Sequence, residues 1–186
     1  MPTNAALTIR NKTILITGAS SGIGRSTAFE FARTCPASLS LILTARRIDR
    51  LHSIASQITA EIGNGVRIHV VQLDVSKPEE VSRLFANLPE GFKEVDVLVN
   101  NAGFMSGYER APDIPMEVVE SVWETNVTGV IGMTQEFLKV AKRREEGGRG
   151  DVVMIGSIAG REAYAGGSVS VLFRLVIGEV EAWVLW

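Results

Sequence analysis

The chain reads Thr17-Gly18-Ala19-Ser20-Ser21-Gly22-Ile23-Gly24 directly after the largely β-branched run Thr13-Ile14-Leu15-Ile16. Apolar side chains then recur at three- and four-residue spacing through residues 24–33, the pattern of an amphipathic helix. Glycines between a strand and a helix let the backbone turn tightly and approach a pyrophosphate, whose charge meets the free N–H groups at the helix start. On their own, the same glycines would describe only a tight turn between packed elements. Their place between strand and helix points to a dinucleotide site, with Gly18, Ser20, Ser21, Gly22, Ile23 and Gly24 as candidate contacts.

Working outward, short apolar runs alternate with longer helical patterns. The spacing predicts strands over residues 13–17, 39–44, 67–73, 95–99 and 152–155, each nearly continuous in apolar character, as strands covered on both faces are. Helices are expected over 24–33, 49–62, 78–88 and 115–144, the last long enough to be two. Turn residues separate them at Gly63-Asn64-Gly65, Leu88-Pro89-Glu90-Gly91 and Glu146-Gly147-Gly148-Arg149-Gly150. Repeated βαβ units of this kind build an α/β fold, a three-layer doubly wound Rossmann parallel sheet. No internal repeat, linker or low-complexity segment interrupts it.

With 186 residues, 46% apolar and 22% charged, the chain suits one domain rather than two. A net charge of -2 gives no bulk attraction to nucleic acid or to an anionic membrane. A single cysteine, Cys35, and a start at Met1-Pro2-Thr3-Asn4 without an apolar core lead to the expectation of a reducing, cytoplasmic setting. Residues 169–186 are apolar but interrupted by Arg174, Glu179 and Glu181, so no membrane anchor is expected there. His52 and His69 stand apart without partners at metal-ligand spacing, and no metal site is proposed. Cys35, before Pro36, reads as a packing residue, and the run Lys142-Arg143-Arg144-Glu145-Glu146 as a solvated helix end.

About 20 residues beyond the glycine turn, an NAD-binding chain carries an acid for the ribose hydroxyls. Here the sequence is Thr44-Ala45-Arg46-Arg47, with two guanidinium groups and no carboxylate. Such a pair suits a 2′-phosphate through charge-assisted hydrogen bonds, so NADP is the expected cofactor. The bland alternative, a solvated pair at a helix start, sets two cations against the helix dipole.

The spacing Thr-Gly-x-x-x-Gly-Ile-Gly is followed in order by Asp74-Val75, Asn100-Asn101-Ala102-Gly103, Asn126 and Gly156-Ser157. This ordered set resembles the short-chain dehydrogenase/reductase family. The resemblance implies that the glycine turn holds the cofactor phosphates, that Asp74 with Val75 meets the adenine, and that Asn101, Ala102 and Gly103 support the central strand beside the cofactor. Read alone, Asp74 could instead be a helix-capping companion of Ser76, and Asn101 a turn residue. Stretches 41–47, 95–101 and 156–164 look like the NADP-dependent 3-hydroxy acid dehydrogenases, which oxidise serine-like hydroxy acids. That likeness implies hydride exchange between nicotinamide and a small hydroxy acid or alcohol substrate. It also implies Ser157 orienting the substrate oxygen, Asn126 holding a relay water, and a homo-oligomer for the full family fold, while Arg161 or Glu162 could contact a substrate carboxylate or, the stronger reading, face solvent.

The family's Tyr-x-x-x-Lys, due 13 residues after the serine, falls on Ser170 and Arg174, and no such pair occurs elsewhere in the chain. A serine hydroxyl is a far weaker acid than tyrosine, whose free pKa is about 10. Tyr164 lies nearby but has only Ser168 at its fourth following position. Divergence begins after Ser168, so residues 1–168 read as the nucleotide-binding domain and 169–186 as a divergent tail. Val169-Ser170 is also what the intron start GTAAGT encodes, and the expectation is a translated intron or a gene-model error. Transcripts running unbroken through the present tail would sink that idea. The sheet is expected to be incomplete at its C-terminal side, with an edge and the 115–144 face uncovered unless the tail forms a short strand or helix that partly covers it, with low solubility and with Trp183 and Trp186 as exposed liabilities.

Overall fold

The computed structural model describes residues 8–106, 113–141, 150–156 and 183–185. Strand and helix alternate along the chain: β1 (Thr13–Thr17), α1 (Gly22–Thr34), β2 (Leu39–Ala45), α2 (Ile48–Ile62), β3 (Val66–Gln72) and α3 (Pro78–Leu84). Then come β4 (Val97–Asn100), α4 (Met116–Trp123), α5 (Gly129–Ala141), β5 (Gly150–Met154) and a three-residue β6 (Trp183–Leu185). They build one sheet in the order β3-β2-β1-β4-β5-β6, parallel from β3 to β5. The chain runs outward from β1 to β3 and then returns to place β4 on the other side of β1. That reversal parts the connections above the carboxyl ends of β1 and β4 and opens the crevice in which ligands of such sheets bind.

Period-two geometry decides which helix covers which face. Ile14 and Ile16 of β1 join Ala28 and Phe29 of α1 and Leu51, Ile54 and Ile58 of α2 in one core. Leu15, between them, faces the other way, with Val81 and Leu84 of α3 and Met133 and Phe137 of α5. All residues of β1 and β2 are buried, as expected for central strands. At about 1.5–3 kcal/mol for each buried aliphatic side chain, these two layers supply most of the drive to fold.

Several boundaries differ from the sequence expectation, for identifiable reasons. β3 is an edge strand paired only with β2, so Arg67 and Gln72 are exposed and its middle residues half-buried. His69 there packs its ring 5.3 Å from that of Phe92, and burial holds its imidazole below the ordinary histidine range. α3 ends at Leu84 and tightens into a 3-10 turn over Phe85–Asn87, because Pro89 disfavours helical geometry at Leu88. β4 starts at Val97 because Asp96 is engaged at the strand origin: its carboxylate accepts the Thr13 N–H at 2.7 Å, while its own N–H donates to Thr13 O at 2.8 Å.

The region from residue 115 forms two helices, α4 and α5, joined by a π-helical turn over Glu124–Thr128. Its expected end at residue 144 and the charge run 142–146 lie outside the described residues. On this pair Met116, Trp123 and Ile131 are exposed, the apolar surface that the sequence led one to expect. The edge of β5 is not bare, however. β6 pairs with it antiparallel, Gly150 opposite Leu185 and Val152 opposite Trp183. Such edge pairing is made by backbone groups, which side-chain patterning does not report. Cys35 is buried, with its sulfur 3.5 Å from Ser38 Oγ, in keeping with a packing role. Among the described residues no helix is long and apolar enough to cross a membrane.

Candidate nucleotide-binding and active site

Thr17 ends β1 and is 1% exposed. Its hydroxyl donates to Val99 O at 3.2 Å and accepts the N–H groups of Asn101 at 3.0 Å and Ala102 at 2.9 Å. Asn101 closes the junction from its side, its Nδ2 donating to Thr17 O at 2.8 Å and to Gly18 O at 3.3 Å. The glycine turn and the exit of β4 are thereby one rigid unit. Thr17→Val keeps the shape but orphans two backbone donors, so a loss of about 2–4 kcal/mol is expected by chemical denaturation, with Thr17→Ser largely restoring it. A Thr17→Val chain as stable as the parent would show that the junction is held by packing alone.

The turn itself needs glycine where the chain comes closest. At Gly18 φ is +67°, and a Cβ would lie 2.8 Å from the Ala102 backbone. Gly24 is buried against Asn101 and Gly18. Ser20 is buried, whereas Ser21, Gly22 and Ile23 are exposed at the start of α1. The Ser21 side chain does not cap that helix, and its first turn carries no acidic residue. Free N–H groups and the positive end of the helix dipole are therefore left to an anion.

Above this turn stand Arg46 and Arg47, both exposed, at the end of β2. Arg47 reaches back over the glycine turn: its Nη2 donates to Ser20 Oγ at 2.9 Å and Ser21 Oγ at 2.8 Å, and its Nε to Ser20 Oγ at 3.2 Å. A guanidinium and a helix N-terminus thus converge on one space, a combination suited to phosphate. Arg46 offers its carbonyl to Gln72 Nε2 at 3.2 Å, tying β2 to β3 at this edge.

Asp74 follows β3 and is half-buried. Its Oδ1 accepts the Ser76 N–H at 3.1 Å and the Ser76 hydroxyl at 2.8 Å, so the capping companionship with Ser76 read as one possibility is present. Val75 is buried against Gly129 of α5, which leaves its side chain in the core rather than at the surface of the crevice. Gly103 is exposed beyond the Thr17 junction. Asn126 sits in the π-helical turn between α4 and α5, its Oδ1 accepting the Phe104 N–H at 3.0 Å and its Nδ2 donating to Phe104 O at 2.8 Å. This two-point clasp fixes the segment after β4 from the opposite wall of the crevice. Ser157, Arg161, Glu162, Tyr164, Ser170 and Arg174 lie outside the described residues.

The candidates from β1, β2, β3 and β4 therefore gather at one end of the sheet, in the crevice made by the reversal of strand order. The family model for short chain dehydrogenases matches residues 12–169, the span that contains all of them. The chain belongs to the short-chain dehydrogenase family. Among relatives in this family, the NADP-dependent 3-hydroxy acid dehydrogenase of Schizosaccharomyces pombe is 42% identical over 158 residues, covering 85% of this chain and 58% of that protein. The chain thus spans 58% of the length of that curated relative. Among solved structures, the closed form of serine dehydrogenase complexed with NADP+ has a TM-score of 0.73 at 32% identity, covering 87% of this chain and 62% of that one. The alcohol dehydrogenase of the archaeon Thermococcus sibiricus, complexed with 5-hydroxy-NADP, has a TM-score of 0.77 at 33% identity over 88% of this chain and 66% of that one.

Two features of this short-chain dehydrogenase site were not singled out from sequence. Thr17 was read only as part of the motif, although a hydroxyl at the end of an apolar strand is itself a signal that a backbone group nearby needs a partner. The bonds from Arg47 to Ser20 and Ser21 span 27 and 26 residues, and no local pattern reports them.

Proposed function

We propose that this chain is the NADP(H)-binding part of an oxidoreductase acting on a small hydroxy acid or a related alcohol or carbonyl compound. The observation that carries this reading is Arg47, anchored on Ser20 and Ser21 beside the uncapped start of α1, with no carboxylate from Thr44 to Arg47. NADP(H), when bound, supplies or accepts the hydride. Backbone N–H groups from Gly18 to Gly24 hold its pyrophosphate, Arg46 and Arg47 pair with the 2′-phosphate, and Asp74 with the backbone of Val75 bounds the adenine. Asn101, Ala102 and Gly103, locked to Thr17, wall the crevice, and Asn126 holds their continuation in place through Phe104. Ser157 orients the substrate oxygen. The serine- and 3-hydroxy-acid-oxidising relatives support the substrate class.

Residues 1–168 form the nucleotide-binding domain in this reading and 169–186 a divergent tail, in a cytoplasmic protein; the full family fold would meet a second copy, whereas this chain leaves Met116, Trp123 and Ile131 exposed. Turnover by this chain is impaired, because a proton must move with the hydride and no Tyr-x-x-x-Lys pair is present to move it. The same absence favours a second reading, an NADP(H)-binding module without turnover. Titration with NADPH by fluorescence, run beside a turnover assay on L-serine and 3-hydroxy acids, tests both. Binding near micromolar with no product is the expected result. Turnover would overturn the impairment, and absence of binding would overturn the nucleotide reading.

A further inference from the structure

Asp74 stands two residues beyond Gln72, whose amide donates to Arg46 O at 3.2 Å, and one beyond Leu73, whose N–H donates to Ala45 O at 3.1 Å. It therefore borders the same crevice as the Arg46 and Arg47 pair. Nearly every polar group it owns is already committed. Its N–H donates to Glu80 Oε2 at 2.8 Å, its carbonyl accepts the Lys77 N–H at 3.0 Å, and its Oδ1 accepts both the N–H and the hydroxyl of Ser76. Among the described residues no partner is found for Oδ2.

A carboxylate free to turn presents two equivalent oxygens and can take a pair of adjacent donors, as a keto purine with an amino group offers. One whose Oδ1 is held by two donors and whose backbone is tied to the next helix presents a single acceptor in a fixed direction. The geometry points to Ser76 and Glu80 as positioning residues for base recognition. They hold Asp74 so that Oδ2 alone accepts an exocyclic amino group, which selects adenine over a purine with a carbonyl at that position. The carbonyl of such a purine would set its lone pairs against Oδ2. Glu80 is suited to the task because its carboxylate in the first turn of α3 is also favoured by the helix dipole. This inference rests on the nucleotide reading given above.

The test compares NADPH with its deaminated analogue, in which hypoxanthine replaces adenine, by fluorescence titration of the full chain. The unaltered chain is expected to favour NADPH roughly tenfold, the scale of one hydrogen bond to a charged group. Ser76→Ala and Glu80→Ala should each lower that ratio to about threefold or less. Glu80→Gln, whose amide oxygen still accepts the Asp74 N–H, should keep it. The two positions are independent, so either alanine variant decides the matter if the other fails to fold. Equal weakening of both nucleotides at an unchanged ratio would mean that Ser76 and Glu80 serve only stability, and would overturn the proposal. An unaltered chain that binds both equally well would overturn it too. A chain that binds neither would overturn the nucleotide reading itself, and this proposal with it.

Discussion

Gly24→Val is expected to destabilise the chain by about 3–5 kcal/mol and to abolish NADPH binding, while Gly22→Ala, two residues earlier in the same motif, costs only about 1–2 kcal/mol. The difference comes from what surrounds each position. A Cβ at Gly24 would collide with Asn101 Nδ2 and lie 2.7 Å from Gly18 O and 3.1 Å from Ala19 Cα. To admit it, Asn101 must release Thr17 O and Gly18 O, and the junction between β1 and β4 opens. Around Gly22 there is nothing within 4 Å, so alanine there meets only the strain of its φ of +55°. Since folded domains are stable by roughly 5–15 kcal/mol, the Gly24 variant forfeits a large share of the total. Urea denaturation of both variants measures the contrast. A Gly24 variant no less stable than the Gly22 one would mean that the junction yields to a Cβ, and that the close approach to Asn101 does not set the requirement for glycine.

Arg47→Glu should weaken NADPH roughly a hundredfold while leaving NADH within a fewfold of its parent affinity, so that the preference between them reverses. In the proposed reading, removing the guanidinium deletes its charge-assisted hydrogen bonds to the 2′-phosphate, and the carboxylate adds repulsion toward it. The same carboxylate can accept ribose hydroxyls, the role that acids play at this position in NAD-binding chains. Parallel fluorescence titrations with the two nucleotides read the ratio directly. Because Arg47 also bonds Ser20 and Ser21, a purely structural role predicts another outcome. Equal loss of both nucleotides would identify Arg47 as a brace for the glycine turn and remove the basis for NADP over NAD.

The helical and strand periods of residues 13–100 were legible because each buried element repeats apolar side chains at the spacing of its own geometry. The glycine turn was legible for a related reason, since backbone conformations with positive φ leave little choice of residue. Where the sequence reading slipped, a distant group had intervened. The start of β4 is displaced by the bonds of Asp96 to Thr13, and the half-burial of β3 follows from its place at the sheet edge. Nor could spacing show that Asn126, 22 residues away, would close its carboxamide on the backbone of Phe104.

Taken alone, the sequence determined the alternation of strand and helix, the place of the glycine turn, the absence of an acid between Thr44 and Arg47, and the lack of a Tyr-x-x-x-Lys pair among residues 1–186. These are properties of neighbouring residues, set by backbone geometry and side-chain chemistry over a few positions. Only the tertiary structure decided that Thr17 would bind two N–H groups from beyond β4, that Arg47 would rest on Ser20 and Ser21, and that Glu80 would take the Asp74 N–H. Hydrogen bonds of this kind need donor and acceptor within about 3 Å, and for the first two of these sets only the packing of β1, β2 and β4 side by side brings together groups so far apart in the chain.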